Sequence, residues 1–171
     1  MRGIKTGIKL SLLLLLLVGI VLVVLVLIKR PQESIYRFNS GLYLSFNLNE
    51  WHIEKNPSLG DILQHDNKNL SIALTTASLE TDEDLNSVVD ARLALIDKEN
   101  ITFEKVNEEI NGLKFIRVNY LDKGDENVNQ QVKGVSFITI HNKIYTTAQI
   151  FYENSQDLED ALKVIKTIKA N

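Results

Sequence analysis

The stretch Ile110-Asn111-Gly112-Leu113-Lys114-Phe115-Ile116-Arg117-Val118-Asn119-Tyr120 decides the fold. Asn111-Gly112 is a two-residue turn signal, because both positions tolerate the positive φ that a tight hairpin needs. The runs on either side, Phe103–Ile110 and Leu113–Leu121, read as strands, with Phe115 alternating against Lys114 and Ile116. Two strands joined by so short a turn pair antiparallel. The sheet of this chain is therefore expected to grow by hairpins.

Downstream, 122–127 (DKGDEN) is a polar loop, Gln130–Ile140 a long strand, His141-Asn142-Lys143 a tight turn and Ile144–Tyr152 its partner. A helix follows, capped by Asn154 or Ser155. Acids stand in its first turn and lysines in its last, as the helix dipole favours. Leu158, Ala161, Leu162, Ile165 and Ile168 form its apolar face. Upstream, Ile35–Phe38 and Leu42–Leu48 flank Asn39-Ser40-Gly41, and Leu42, Leu44, Phe46 and Leu48 keep a strict period of two. Trp51–Glu54 reads as a further short strand, the stretch from Asn56-Pro57-Ser58 to Gly60-Asp61 as a loop, and Leu70–Thr76 as a strand. The period then changes. Thr81, with acids after it, predicts a helix start, and Leu85, Val88, Val89, Leu93 and Ile96 make one stripe that ends near Lys98-Glu99-Asn100. Strands, helix, a meander of strands and a last helix define an α+β class, a mostly antiparallel sheet with helices packed on it.

The first thirty residues are of another kind. Leu10 to Ile28 is nineteen residues without charge or proline. As a helix it reaches roughly 28 Å, near the hydrocarbon thickness of a bilayer. A cleaved signal has a shorter apolar run and small residues at its cleavage site; here the run ends in Ile28-Lys29-Arg30-Pro31, and with no cysteine there is no lipidation site of the lipobox type. The reading is an uncleaved transmembrane signal anchor over 10–28. A short basic segment, 1–9, precedes it, a linker, 29–34, follows it, and the domain occupies 35–171. Arg2, Lys5 and Lys9 before the span nearly balance Lys29, Arg30 and Arg37 after it. The short basic N-terminus is expected to stay inside. That makes the protein single-pass in the cell membrane, in contact with the lipid bilayer, with an extracytoplasmic C-terminal domain.

That domain is acidic. All twenty-two Asp and Glu lie beyond Pro31, against fourteen of the nineteen Lys and Arg, a formal charge of −8. An acidic domain without a basic stripe excludes nucleic acid as a partner. The absence of cysteine excludes disulfides, thiol catalysis and Cys-type metal sites.

Four features together resemble the PsbP-like fold, which is shared with Ran-binding Mog-type proteins and with small envelope proteins of bacteria and archaea. They are an early strand ending in an aromatic (Gly41–Trp51, GLYLSFNLNEW), a helix after the next strand, the Asn-Gly hairpin with an aromatic in its return strand (Ile110–Tyr120), and a last hairpin strand (Ile144–Tyr152, IYTTAQIFY) running into a C-terminal helix that ends Leu162–Ala170, LKVIKTIKA. Members usually carry proline just before the tryptophan, where this chain has Glu50. The resemblance implies a non-catalytic binding or assembly module whose partner is another envelope protein or a small ligand.

Catalytic constellations are sparse. Neither a G-x-S-x-G elbow nor a glycine-rich phosphate loop occurs. The stretch from Asp61 to Lys68, DILQHDNK, holds Asp61, His65 and Asp66; on a helical turn Asp61 and His65 share a face and form a candidate metal site, and a metal-assisted envelope enzyme built on them is the alternative reading. The acids after Thr81 are explained as helix N-terminal charge, and those of 122–127 as a solvated loop that lacks calcium-loop spacing. His141 falls in a turn, and His52 beside Trp51 on a strand surface. Asn69 and Asn100 head sequons. No cofactor and no catalytic residue are expected.

Overall fold

The computed structural model describes residues 17–21, 23, 32–57, 60–96, 101–122 and 133–171. The chain divides into two units, Met1–Gln32 and Glu33–Asn171. In the first, 17–21 and 23 are helical. Leu10 and Ile28, the ends of the expected span, lie outside the described residues, as do Asn100 and 123–127. Among the described residues no helix is long and apolar enough to cross a membrane.

The second unit is α+β. Its strands are β1 (Glu33–Arg37), β2 (Leu42–Asn47), β3 (Trp51–Asn56), β4 (Gly60–His65), β5 (Ser71–Ser78), β6 (Ile101–Ile110), β7 (Leu113–Asp122), β8 (Lys133–His141), β9 (Ile144–Tyr152) and β10 (Lys169–Ala170). Two helices are present among its described residues, α1 (Leu85–Leu93) and α2 (Ser155–Ile165). Seven strands form one sheet in the order β3-β4-β5-β9-β8-β7-β6, and β1-β2-β10 form a second. Every pairing is antiparallel. Asn111 and Gly112 have φ of 50° and 81°, the left-handed turn that the Asn-Gly pair predicts. Asn142 and Lys143 turn β8 into β9 in the same way, at φ 50° and 58°.

Adjacent residues on a strand face opposite sides, and here each side has its own cover. On one side Trp51, Leu63, Ile72, Phe115, Phe137 and Ile150 pack with Leu42, Leu44 and Phe46 of the small sheet and with Ala161, Val164 and Ile165 of α2. On the other, Ile116, Val118, Ile138 and Tyr145 pack with Val88, Val89 and Leu93 of α1. The middle strands β8 and β9 are covered on both sides, so most of their residues are buried regardless of parity.

The α+β class and the hairpin order match expectation, with four local corrections. The stretch from Gly60 to His65 is strand β4, not a loop: Trp51 stands opposite His65 and Asn56 opposite Gly60. Gly60, at φ 87°, starts that strand. The cap of α1 is Asp84, whose side chain accepts from the Ser87 backbone N–H at 3.1 Å, while the Thr81 hydroxyl donates to Glu83 at 3.1 Å. α1 stops at Leu93, short of the end expected near Lys98. The last helix stops at Ile165, and its tail becomes β10, which pairs with Leu42 and Tyr43 of β2.

Side chains lock the layers together. The Asn111 side-chain amide donates to the carbonyls of Lys166 and Ile168, each at 2.8 Å, tying the β6–β7 turn to the exit of α2. The Asn142 amide donates to the Ser40 carbonyl at 2.9 Å. At the other end of α2, Lys68 from the β4–β5 turn pairs with Asp160 and, at 3.5 Å, with Asp157.

Candidate functional site

A cavity of about 310 Å³ opens between α1 and the sheet. Register builds its floor. Gln149 stands opposite Ser136 and Ser136 opposite Val118, making one row across β9, β8 and β7; Thr75, Thr147 and Ile138 make the next. Tyr120 and Tyr145 stand at its sides, and Val89, Arg92, Leu93 and Ile96 form its roof. Part of the lining is thus hydroxyl and amide, and part is apolar.

Three features of the floor stand out. The Tyr120 and Ser136 hydroxyls are hydrogen-bonded at 2.5 Å, and burial pushes the Tyr120 phenol up to about 12, so it is a neutral group at any physiological pH. Tyr120 reaches that position because Gly134 lies opposite it in register; a side chain there would run into the Tyr120 ring. Thr147 is 7% exposed, and its hydroxyl has no hydrogen-bond partner among the described residues. A buried hydroxyl left without a partner costs on the order of 1–3 kcal/mol, and the cavity beside it has room for a group that would pair with it. At the rim, the Arg92 guanidinium carbon lies 3.9 Å from the centre of the Tyr145 ring. Among the described residues no acidic side chain lines the cavity.

The cavity was not legible as a site beforehand. Tyr120 and Tyr145 fall on expected strands, and nothing in their spacing groups them with Thr75, Arg92, Ser136, Thr147 and Gln149. The available signal was Ser136 inside the apolar run Val135–Ile140, together with Thr146-Thr147 in the middle of β9. Hydroxyls in a doubly covered strand need a reason. Thr146, on the opposite side, has one: its hydroxyl donates to that of Ser40 at 2.9 Å.

The expected metal ligands do not converge. Asp61 and His65 lie on strand β4, not on a helical turn, and four residues of extended chain separate their Cα atoms by roughly 13 Å. Asp61 accepts from the Tyr36 hydroxyl at 3.0 Å; burial and this carboxylate push the Tyr36 phenol well above its usual range. His65 is buried, edge-on to Trp51 with ring centres 4.9 Å apart, and its Nδ1 accepts from the Asn67 backbone N–H at 3.1 Å. Asp66 turns to His52, whose Nδ1 lies 2.5 Å away. Hydrogen bonds that the imidazole donates to Asp66 first, and then to Glu54, hold His52 above its usual range. Among the described residues no group of three His, Asp or Glu is placed to hold a metal. His141 ends β8 at the hairpin turn, and Asn69 sits exposed in the β4–β5 turn, its amide donating to Glu153 at 2.5 Å.

A second hollow, of about 540 Å³, lies along β6–β8 beside Tyr152 and Leu158. Leu121 and Lys133 are among the residues that line it.

No family model matches the chain, and no curated protein matches it either. Solved structures do share its fold. The solution structure of cyanobacterial PsbP (CyanoP) from Synechocystis sp. PCC 6803 superposes with a TM-score of 0.55 at 11% identity, over 83% of this chain and 94% of that one. A crystal structure from Bacteroides thetaiotaomicron VPI-5482 gives 0.55 at 10% identity, over 82% of this chain, which spans about half (48%) of that longer protein. The domain therefore has a PsbP-like fold.

Proposed function

We propose that this is a single-pass membrane protein whose PsbP-like domain lies outside the cytoplasm and serves as a non-catalytic binding module, with the cavity beneath α1 as its binding site. The observation that carries this reading is the cavity itself. It is floored by buried hydroxyls, one of them unpaired, on the sheet face that the main core does not use. Fold alone does not assign function; a concave, mostly apolar site with a few convergent polar groups is what ligand recognition uses. The apolar run Leu10–Ile28 and the basic residues before it support the anchor and its orientation. The dispersal of Asp61, His65 and Asp66 to separate partners removes the support for a metal-assisted enzyme.

The test is native mass spectrometry of the full chain isolated from its own membranes in lipid nanodiscs. A small-molecule adduct is expected on the wild type and absent from Ile138→Phe, which fills the cavity. An adduct that persists in Ile138→Phe, or no adduct in either, overturns the assignment of the site. A protease added outside intact cells is expected to remove the domain; full protection overturns the topology.

A further inference from the structure

From the cavity lining we infer the class of ligand: a compact organic carboxylate, its apolar body beneath α1 and its carboxylate at Arg92. This rests on the cavity being the binding site. The domain carries a formal charge of −8, yet among the described residues no acidic side chain lines this cavity and Arg92 is the one charged residue that does. The described lining therefore favours an anion or a neutral molecule over a cation.

The state of Arg92 favours the anion. Its described contact is with the Tyr145 ring, and no ion pair to it is present among the described residues. With its carbon over the ring, the guanidinium makes a contact of charge with a π face that satisfies its donors only weakly, so its fork remains able to bind an oxygen ligand. Arg92 sits on the roof helix next to Leu93, and the stacking fixes its position before any ligand arrives. A carboxylate matches one guanidinium in a bidentate pair. A phosphate dianion calls for more positive charge than one arginine, and the rest of the described lining supplies none.

The body of the ligand is set by volume and polarity. About 310 Å³ is at the small end of the range for organic ligands. At about 30 Å³ per water-sized group, it holds on the order of ten non-hydrogen atoms. Val89, Leu93, Val118 and Ile138 offer an apolar wall to a ring or short chain. The unpaired Thr147 hydroxyl supplies one further hydrogen bond from the floor.

The test uses the full chain in lipid nanodiscs, with 3-phenylpropionate and its neutral amide as probes. Methyl NMR signals of Val89, Val118 and Ile138 report occupancy of the cavity directly. The acid is expected to shift them saturably, and the amide to need at least about tenfold higher concentration, the scale of one charge-assisted contact. Arg92→Gln is expected to abolish that difference, and Arg92→Lys, which keeps the charge, to retain part of it. Equal affinity of acid and amide in the wild type, or an unchanged preference in Arg92→Gln, overturns the carboxylate assignment and leaves the binding site standing. Failure of both probes to move the cavity methyls overturns both. The wild-type comparison of acid with amide needs no variant, so it stands even where Arg92→Gln loosens α1.

Discussion

The two faces of the seven-stranded sheet are built for different ends. One is sealed by a second sheet and by α2, and its floor is Phe, Leu and Ile. The other is roofed by nine residues of α1 and interleaves hydroxyls with aliphatic side chains. Both faces use the same strands, so the difference is one of parity alone: Ala148 and Ile150 look to the core, Thr147 and Gln149 to the cavity. A sheet covered on both sides can give one face to stability and spare the other for recognition. Substitutions that separate the faces measure how complete that division is.

The largest effect is expected on the sealed face. Phe137, fully buried under α2 and the small sheet, changed to alanine is expected to cost about 3–5 kcal/mol, read by urea unfolding. On the roofed face Leu93→Ala removes a side chain of similar depth, but next to existing space, and a loss of about 2 kcal/mol is expected. Equal losses at the two sites would show that the roof is as integral to the fold as the core. Thr147→Val sharpens the contrast by reversing the sign. It deletes an unpaired buried hydroxyl at nearly constant shape, so stability is expected to hold or rise by up to about 1 kcal/mol. A loss of more than that would mean the hydroxyl is satisfied in solution.

The smallest effect concerns how α2 is tied down on the sealed face. Hydrogen bonds from Lys163 and then Lys68 hold the Asp160 carboxyl down to about 2, from the ordinary 3.8. A depressed carboxylate contributes stability above its unfolded pKa and loses it as pH falls through the folded one. The contribution is therefore whole above about pH 4 and fades between 3.8 and about 2. The pair is partly solvated, so a few tenths of a kcal/mol are expected. Asp160→Asn is expected to flatten stability over that window and to leave the cavity unchanged.

What could be read from the residues follows the range of the interactions. Strand Ile144–Tyr152 was legible to the residue, and so was the Asn111-Gly112 turn, because both are written in local alternation and turn chemistry. β4 was hidden by Pro57, Gly60, Asp61 and Asp66, residues that usually punctuate loops. It is a strand because Leu63 is buried in the core and His65 meets the Trp51 ring across the β3–β4 pair. β10 is two residues long and exists only by pairing with β2, more than a hundred positions earlier. The cavity was the least legible feature of all. Its floor is a set of rows running across strands, and a row such as Gln149, Ser136, Val118 has no spacing along the chain.

Asn111 carries one more consequence, and it concerns ageing. Asparagine followed by glycine is the pair most prone to lose its side-chain amide, because no bulky neighbour shields the backbone nitrogen that attacks it. The nitrogen at risk is the one that bonds both Lys166 and Ile168. While those bonds hold, the amide is pinned at the turn. Once it is lost, a carboxylate faces two carbonyl oxygens, and attraction becomes repulsion at the exit of α2. The amide that closes the hairpin turn therefore also sets how long the exit of α2 stays tied to it.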